Sequence, residues 1–261
     1  MTTARGTGDG DTRYERERGF HDAKYADVGE GETEKFYSVL RTCYARYKQV
    51  VEYDCAGKDV LEYGCGKGSH AFDLAARGAR VTGIDISPVA IDVSATIAAE
   101  RGLTVEFTEM NAERLEFPTR SFDLICGASI LHHLDLDTCG AQIARCLRPD
   151  GIAAFVEPLG HNPLINYYRN RTPQLRTPDE HPLRMPDFDV FRRYFGAVDV
   201  DYYALTSLAA YPLRHRPVFE RVLAGFDAVD RVAFDKVPWL RRFGWFCVIT
   251  LRDPRPRLET A

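Results

Sequence analysis

The stretch Val60-Leu61-Glu62-Tyr63-Gly64-Cys65-Gly66-Lys67-Gly68 decides the fold of this chain. Its first four residues form a short, mostly apolar run that is typical of a buried strand, and glycines at alternate positions follow it. Glycine lets the backbone turn sharply and approach a ligand closely. A helical pattern begins at Ser69, so exposed N–H groups at the start of that helix can hold polar groups of a ligand. The stretch therefore predicts a strand, a ligand-binding turn and a helix.

Short apolar runs alternate with helical patterns after this stretch. Further strands are predicted at 80–84, 105–107, 122–126 and 152–156, with helices at 69–77, 87–101 and 137–147 and a turn at 148–151. Such alternation predicts a parallel sheet with helices on both faces. A short helix at 187–195, strands at 198–205 and 243–251 and a helix at 217–234 complete the pattern. We therefore expect an α/β fold with a Rossmann-like, seven-stranded, mostly parallel sheet.

Composition narrows the possible partners. The 261 residues carry a formal net charge of −4, which disfavours nucleic acid or an anionic membrane as the main partner. The chain has an odd number of cysteines, seven, and no C-x-x-C pair, so we expect neither a disulfide framework nor a zinc site. With neither a signal peptide nor a long apolar run in the sequence, we expect a cytoplasmic protein, and its oligomeric state, monomer or homodimer, stays open.

Acidic and amide side chains follow the predicted strands. Asp85 ends the second strand, 21 residues after Gly64, where a carboxylate can accept hydrogen bonds from two ribose hydroxyls. Glu62, two residues before Gly64, suits the cationic amino end of an amino-acid cofactor better than a pyrophosphate. In the alternative, Glu62 only ties the turn to neighbouring backbone. The pair Asn111-Ala112 lies in the loop after the third strand. These positions favour a nucleoside cofactor that carries an amino group.

In this order the motifs resemble those of the class I S-adenosylmethionine-dependent methyltransferases. Residues 60–68 resemble the first motif of that family, Asp85 its ribose acid, and Asn111-Ala112 the pair that meets the adenine. Residues 121–126 with 131–134 resemble its fourth strand and the segment after it, and residues 147–151 the turn into its fifth. The resemblance covers roughly residues 58–157. It implies S-adenosylmethionine as the cofactor, bound by Glu62, Gly64, Cys65, Gly66, Asp85, Ile86, Asn111, Ala112 and Cys126.

Two residues depart from the pattern of this family. Asn111 stands where many members carry Asp, and its amide can still bond adenine, because it both donates and accepts. Lys67 stands where a small hydroxyl residue is common, and we place its side chain in solvent.

The resemblance also implies an arrangement of segments around one catalytic domain. We predict a disordered tail at 1–13 and an N-terminal helical lid at 14–53, made of two helices with a break near 28–31. The S-adenosylmethionine-binding core follows at 54–157, then a substrate-side insertion after the fifth strand at 158–186, and the rest of the sheet at 187–254. A long loop at the carboxyl ends of the strands is typical of a pocket wall.

Residues on the acceptor side follow from this placement. We hypothesise that His161, Glu157 and His133 are catalytic, with His161 able to take a proton near neutral pH. Contacts with the substrate are predicted for Tyr14, His21, Tyr25, Asn162, Asn166 and Arg169. In the alternative, Glu157 pairs with an arginine of the insertion, His161 caps a turn, and Arg169 and Arg171 pair with Asp179 and Glu180. Since no carboxylate cluster is evident, we expect no metal.

Three functions remain open from the sequence. The first is methyl transfer to a small molecule such as a natural-product intermediate, because the chain lacks the Asn-Pro-Pro-Tyr type of signature found in enzymes that methylate amino groups of nucleic acids and proteins. The second is a nicotinamide-dependent oxidoreductase, which would share the glycines and Asp85. The third is a methyltransferase fold repurposed for another reaction, such as a cyclisation.

Overall fold

A computed structural model describes residues 8–26, 37–173 and 176–255. Its strands are β1 (Asp59–Tyr63), β2 (Arg80–Asp85), β3 (Val105–Glu109), β4 (Phe122–Ala128), β5 (Leu147–Pro158), β6 (Phe195–Tyr203) and β7 (Phe246–Pro254). Its α-helices are α1 (Gly8–Ala26), α2 (Arg41–Glu52), α3 (Ser69–Ala76), α4 (Pro88–Glu100), α5 (Leu136–Cys146), α6 (Pro163–Arg171), α7 (Asp187–Arg192) and α8 (Phe219–Lys236). Short 3-10 helices include Leu131–His133 and Ser207–Leu213.

The strands form one sheet in the order β3-β2-β1-β4-β5-β7-β6. The first five strands run parallel, whereas β7 is antiparallel to both of its neighbours, β5 and β6. This confirms the predicted seven-stranded, mostly parallel sheet. The strand order reverses at β1 and β4, and the carboxyl ends of strands at such a switch point leave a crevice that can hold a ligand.

Alternate residues of each strand build a core on either face of the sheet. On one face Leu61 and Tyr63 pack with α5 and α7, while on the other Val60 packs with α2 and α3. Because β1 is buried on both faces, it is a nearly continuous apolar run rather than an alternating one. The one buried acid in that run, Glu62, therefore needs a specific partner.

Helix α2 belongs to this core. Its Cys43, Tyr47 and Val51 are buried and pack in the same cluster as β5 and β7. The predicted two-helix lid is accordingly restricted to α1, which packs against α4 and borders the large cavity described below. The predicted break near residues 28–31 lies outside the described residues.

The structure corrects three further predictions about segments. Residues 8–13 belong to α1, so the disordered tail is wrong for that part, and residues 1–7 lie outside the described range. Residues 148–151 form an irregular start of β5 rather than a separate turn, where the pairing with β4 shifts register. The insertion carries an unpredicted helix, α6, which Asn162 caps by accepting hydrogen bonds from Leu164 N and Ile165 N. Among the described residues, no helix combines the length and apolar character that a membrane crossing requires.

His70 on α3 makes the stability of the fold depend on acid. Its ring is buried, 4.9 Å from the ring of Tyr47, and burial lowers its pKa to about 4. Between about pH 6.5 and pH 4, the His70 imidazole is protonated in the unfolded chain but stays neutral in the folded protein. The free energy of unfolding therefore falls as the pH is lowered through this range.

We expect His70 to account for a loss of about 2 kcal/mol between pH 7 and pH 5. Urea unfolding gives the free energy of unfolding of the wild type and of His70→Gln at pH 7 and pH 5. The acid loss in the wild type minus that in His70→Gln is the contribution of His70. His215→Ala, which removes an exposed imidazole, is the matched control. An equal acid loss in wild type and His70→Gln would contradict the assignment.

Candidate functional site

A cavity of about 670 Å³ opens at the carboxyl ends of the central strands. Its floor is formed by the loops after β1, β2, β3 and β4, and its roof by α1, α6 and the segment 208–212. Five of the predicted cofactor residues line the floor of the cavity, namely Gly64, Asp85, Ile86, Asn111 and Ala112. The predicted substrate residue Tyr25, on α1, also lines the cavity.

The glycine turn after β1 is shaped to leave room for a ligand. Gly64 has a φ of +69°, and a Cβ there would lie 2.7 Å from the side chain of Ile130. Gly66 has a φ of +51°, and a Cβ there would lie 2.9 Å from the hydroxyl oxygen of Tyr25. Both positions thus require glycine for conformation and for space. The turn brings its backbone up to the cavity, with Tyr25 lying across it.

Asp85 lies at the end of β2 and faces the cavity. Its Oδ2 accepts a hydrogen bond from Gly66 N at 2.8 Å, and its Oδ1 accepts one from Ser87 N at 3.0 Å. Burial raises its pKa, while these two donors act in the opposite direction. A single carboxylate therefore fixes the first turn to the second and presents its remaining lone pairs to a ligand.

Glu62 holds the start of α3 rather than the cavity wall. It is 2 % exposed, and it accepts hydrogen bonds from His70 N at 3.2 Å and from Ala71 N at 2.8 Å. Burial raises its pKa to about 8. This geometry matches the possibility that Glu62 ties the turn to neighbouring backbone. Cys65, Gly66 and Cys126 also lie outside the cavity lining, and Cys126 points into the core beside Tyr47.

Asn111 and Ala112 border the cavity beyond β3. The Asn111 side-chain oxygen accepts a hydrogen bond from Glu113 N at 2.8 Å, and the Tyr63 hydroxyl donates to the backbone oxygen of Ala112. These bonds fix the loop in a shape that presents Asn111 and Met110 to the cavity. Lys67 is exposed, as expected.

The roof side of the cavity is aromatic. Tyr14, Phe20 and His21 enter from α1, and Tyr167 and Tyr168 enter from α6. More rings come from the C-terminal half of the chain and complete this wall. They are Tyr211, Trp245 and Phe246.

Among the predicted catalytic residues, only His133 lines the cavity. Its Nδ1 lies 3.2 Å from Oε2 of Glu17, a residue of α1. Burial by itself would raise the pKa of Glu17, but its contacts with His133, His21 and Thr177 outweigh burial and lower that pKa. A buried carboxylate and imidazoles from separate elements therefore meet at the roof of the cavity.

His161 and Glu157 serve the fold instead. His161 accepts a hydrogen bond from Met185 N at 3.3 Å and lies outside the cavity lining, so we withdraw it as a base. Glu157 is fully buried, and its partners are Ile130 N, Leu131 N and the Nδ1 of His132. Both of its oxygens are bonded to the loop after β4, so within the described residues Glu157 neither lines the cavity nor pairs with an arginine.

Of the predicted substrate residues in the insertion, some serve the fold and one lines the cavity. Asn162 caps α6 and donates to Phe243 O at 2.7 Å, and Asn166 donates to Gly160 O at 2.9 Å, so neither lines the cavity. Arg169 does line it, and it pairs with Glu180, as the alternative held. The partner of Asp179 is different, since it pairs with Arg16 on α1.

Three residues that the sequence hypothesis did not single out for this site are important in it. Glu17 and Glu180 line the cavity, and His132 joins Glu157 to Glu180, with its Nε2 3.8 Å from the second carboxylate. The spacing of Glu17 and His21 puts both on one helical face, and this signal was available in the sequence. No local signal brings Glu180 to His132.

Side chains that could hold a metal ion come together in the structure, although no local sequence pattern indicates all of them. Within the described part of the chain, Glu17, His21 and His133 place one ligand atom each within 4.8 Å of one another, as do His132, His133 and Glu180. Two imidazoles and a carboxylate are a donor set that binds divalent transition metals.

Known proteins resemble this chain in both sequence and fold. A family model described as a methyltransferase domain matches residues 60–151. The chain is 36% identical over 104 residues to the ubiquinone biosynthesis O-methyltransferase of Nitrosococcus oceani, an alignment that covers 38% of this chain and 43% of that protein. It is 39% identical over 108 residues to the nocamycin O-methyltransferase of Saccharothrix syringae, which covers 40% of this chain and 39% of that protein.

These alignments span about two fifths of the length of each curated relative. A solved structure of phosphoethanolamine N-methyltransferase 2 from Haemonchus contortus extends the likeness in fold, with a TM-score of 0.66 at 18% identity over 91% of this chain and 60% of that one. The matched segment contains the glycine turn, Asp85 and Asn111, the same residues that border the cavity. Residues 60–151 therefore match a methyltransferase domain in sequence, and the fold of the chain resembles that of a methyltransferase of known structure.

Proposed function

We propose that the protein transfers the methyl group of S-adenosylmethionine to a hydroxyl oxygen of an aromatic small molecule. One observation carries this proposal: a single cavity joins the glycine turn and Asp85 on its floor to a wall of aromatic rings on its roof. Its volume of about 670 Å³ falls in the upper part of the usual range for ligand pockets, about 300–1,000 Å³. That space suits a cofactor with a second molecule beside it.

The floor residues fit the cofactor. Asp85 offers an acceptor for ribose hydroxyls, the backbone at Gly64 approaches closely because it carries no Cβ, and Asn111 with Ala112 borders the place for an adenine. When bound, S-adenosylmethionine supplies a methyl group already activated by its positive sulfur. The contribution of the chain is to hold the acceptor oxygen in line with that methyl group and to exclude water.

The roof residues fit a planar, hydroxyl-bearing acceptor. Rings such as Phe20, Tyr167 and Trp245 offer faces and edges against which an aromatic molecule can pack. Glu17, His21 and His133 are the ionisable groups against which its hydroxyl is placed. The two curated relatives are named as O-methyltransferases, which supports an oxygen acceptor.

Transfer of a labelled methyl group tests the reaction. The purified protein is incubated with methyl-labelled S-adenosylmethionine and separate panels of phenols, amines and thiols. We expect label on phenolic oxygen, with one S-adenosylhomocysteine formed for each product. Label confined to the cofactor would favour a repurposed fold, and label on amines alone would contradict the oxygen acceptor. Calorimetric titration with NAD(H) and with S-adenosylhomocysteine distinguishes a methyltransferase from the oxidoreductase alternative. Binding of NAD(H) alone would favour the oxidoreductase.

Tyr167 tests the aromatic wall. Its ring lies on α6 at the cavity, so Tyr167→Ala should raise KM for a phenolic acceptor roughly 5- to 10-fold, as expected for about 1 kcal/mol of lost ring packing. The affinity for S-adenosylhomocysteine should stay unchanged, because the cofactor residues lie on the floor. Tyr53→Ala removes an exposed tyrosine away from the cavity and is the matched control. Equal KM values for wild type and Tyr167→Ala would place the acceptor elsewhere.

A further inference from the structure

Three buried polar atoms of the cavity roof have no hydrogen-bond partner among the described residues. They are Oε2 of Glu17, Nδ1 of His133 and Nδ1 of His21. Glu17 is only 5 % exposed, and burying an ionised carboxylate without a compensating partner is costly. The two imidazoles lie close to that carboxylate but do not satisfy it with hydrogen bonds. These unpartnered atoms therefore leave the cluster able to share a cation.

The spacing of Glu17 Oε2, His133 Nδ1 and the other ring nitrogen of His21, Nε2, fits a metal ion. His133 Nδ1 lies 3.2 Å from Glu17 Oε2, and His21 Nε2 lies 3.5 Å from the same oxygen. An ion about 2.1 Å from each ligand puts neighbouring ligand atoms about 3.0 Å apart in an octahedron and about 3.4 Å apart in a tetrahedron. The two separations from Glu17 Oε2 are close to those edges, and all three ligand atoms lie within 4.8 Å of one another. A single ion would satisfy the carboxylate oxygen and the His133 nitrogen together.

The surroundings hold the three side chains in place. Glu17 and His21 are one turn apart on α1, so they project from the same face. The second oxygen of Glu17 accepts a hydrogen bond from Thr177, an outer contact of the kind that orients metal ligands. The His21 ring stacks on Tyr25 and meets the His133 ring edge to face at 5.5 Å.

We propose that Glu17, His21 and His133 bind one divalent transition-metal ion, with Zn²⁺ as the representative probe. Imidazole nitrogen favours such an ion over Mg²⁺ or Ca²⁺, which prefer oxygen ligands. Three protein ligands leave at least one coordination position open, and all three residues line the cavity. If the proposed function holds, that open position takes the acceptor hydroxyl and favours its deprotonated form, so the ion both orients and activates the acceptor.

Zinc binding is measured on the full chain without any acceptor. Protein freed of metal by chelation is titrated calorimetrically with Zn²⁺, and its metal content is determined after dialysis. We expect one bound equivalent, with affinity lowered on the order of 100-fold or more in Glu17→Gln and in His21→Asn, because loss of an outer contact alone costs 10–100-fold. His215→Ala, which removes an exposed imidazole, should bind as the wild type does.

Two outcomes would overturn the proposal: no stoichiometric zinc binding by the wild type, or equal affinity in the wild type and both variants. Unchanged circular dichroism and S-adenosylhomocysteine affinity in the two variants show that they still fold. A buried cysteine that captures zinc would give equal affinities in all four proteins and so counts against the site.

Failure of this inference differs from failure of the proposed function. If the wild type binds zinc, the variants do not, and no acceptor is methylated, the ion site is supported and the proposed methyl transfer is contradicted. If the protein methylates phenols but binds no zinc, the proposed methyl transfer is supported and the ion site is contradicted. If both hold, chelation should lower turnover of a phenol and leave the affinity for S-adenosylhomocysteine unchanged.

Discussion

Replacement of Asp85 by alanine is expected to weaken the binding of S-adenosylmethionine roughly 10- to 100-fold. The carboxylate faces the cavity at the end of β2, and lost hydrogen bonds to an ionised group are worth on the order of 1–3 kcal/mol. The same change also releases Gly66 N and Ser87 N, so the turn that shapes the floor loses its anchor. Calorimetric titration with S-adenosylmethionine measures the affinity directly.

A second variant separates the two roles of Asp85. In Asp85→Asn the side chain keeps its size and one acceptor oxygen but loses its charge. An affinity for S-adenosylmethionine between those of wild type and Asp85→Ala would assign part of the effect to charge. Asp92→Ala, which removes an exposed aspartate on the neighbouring α4, is the matched control and should bind as the wild type does. Unchanged affinity in Asp85→Ala would mean that the ribose is held elsewhere.

Replacement of Glu157 by alanine is expected to lower the free energy of unfolding by about 3–5 kcal/mol, because it leaves several buried hydrogen-bonding groups without their acceptor, each at a cost of about 1–3 kcal/mol. The side chain is fully buried and accepts hydrogen bonds from Ile130 N at 2.9 Å and Leu131 N at 2.8 Å, with the Nδ1 of His132 at 2.7 Å. Alanine leaves all of these groups unpaired inside the protein. Urea unfolding at pH 7 measures the loss.

The matched control is a glutamate in a surface ion pair. Glu220 pairs with Arg41, and both side chains are more than half exposed, so Glu220→Ala should change the free energy of unfolding by about 0–1 kcal/mol. Glu157→Gln should fall between these values, because its amide retains one oxygen acceptor. A loss in Glu157→Ala no larger than that in Glu220→Ala would show that water replaces the carboxylate without cost.

The sheet was predictable because its signals are local. Ser87 accepts a hydrogen bond from Ala90 N, as expected of a serine followed by a proline at the start of a helix. The run from Val60 to Tyr63 is apolar enough to be recognised as a buried strand. In both cases a few neighbouring residues carry the whole physical cause, so no tertiary contact is needed to predict the element.

The cofactor floor followed from the same logic, since its residues directly succeed strands. Asp85 and Asn111 reach the cavity because the carboxyl ends of parallel strands share one edge of the sheet. Glu62 stands one position inside the strand, and this register sends it to the start of α3 instead. The sequence shows that an acid, Glu62, is present. It does not show whether backbone N–H groups or a ligand will bond its carboxylate.

The roof could not be predicted in this way, because its partners are far apart in the chain. Glu17 and Thr177 are 160 residues apart, and Arg16 and Asp179 are 163 apart. His161 illustrates the opposite error: a titratable side chain near the end of a strand was assigned to chemistry, while the structure gives it a backbone partner, Met185. A polar residue in a long insertion has too many possible partners for spacing to choose among them.

The joining of α1 to the insertion also makes part of the roof sensitive to dissolved salt. Among the described residues, Arg16 pairs with Asp179, and Thr177 donates a hydrogen bond to Glu17. The first is partly exposed to solvent, and dissolved salt weakens such an ion pair. We therefore expect higher ionic strength to weaken this connection between two distant parts of the polypeptide, whereas the buried contact of Glu17 with Thr177 is screened less.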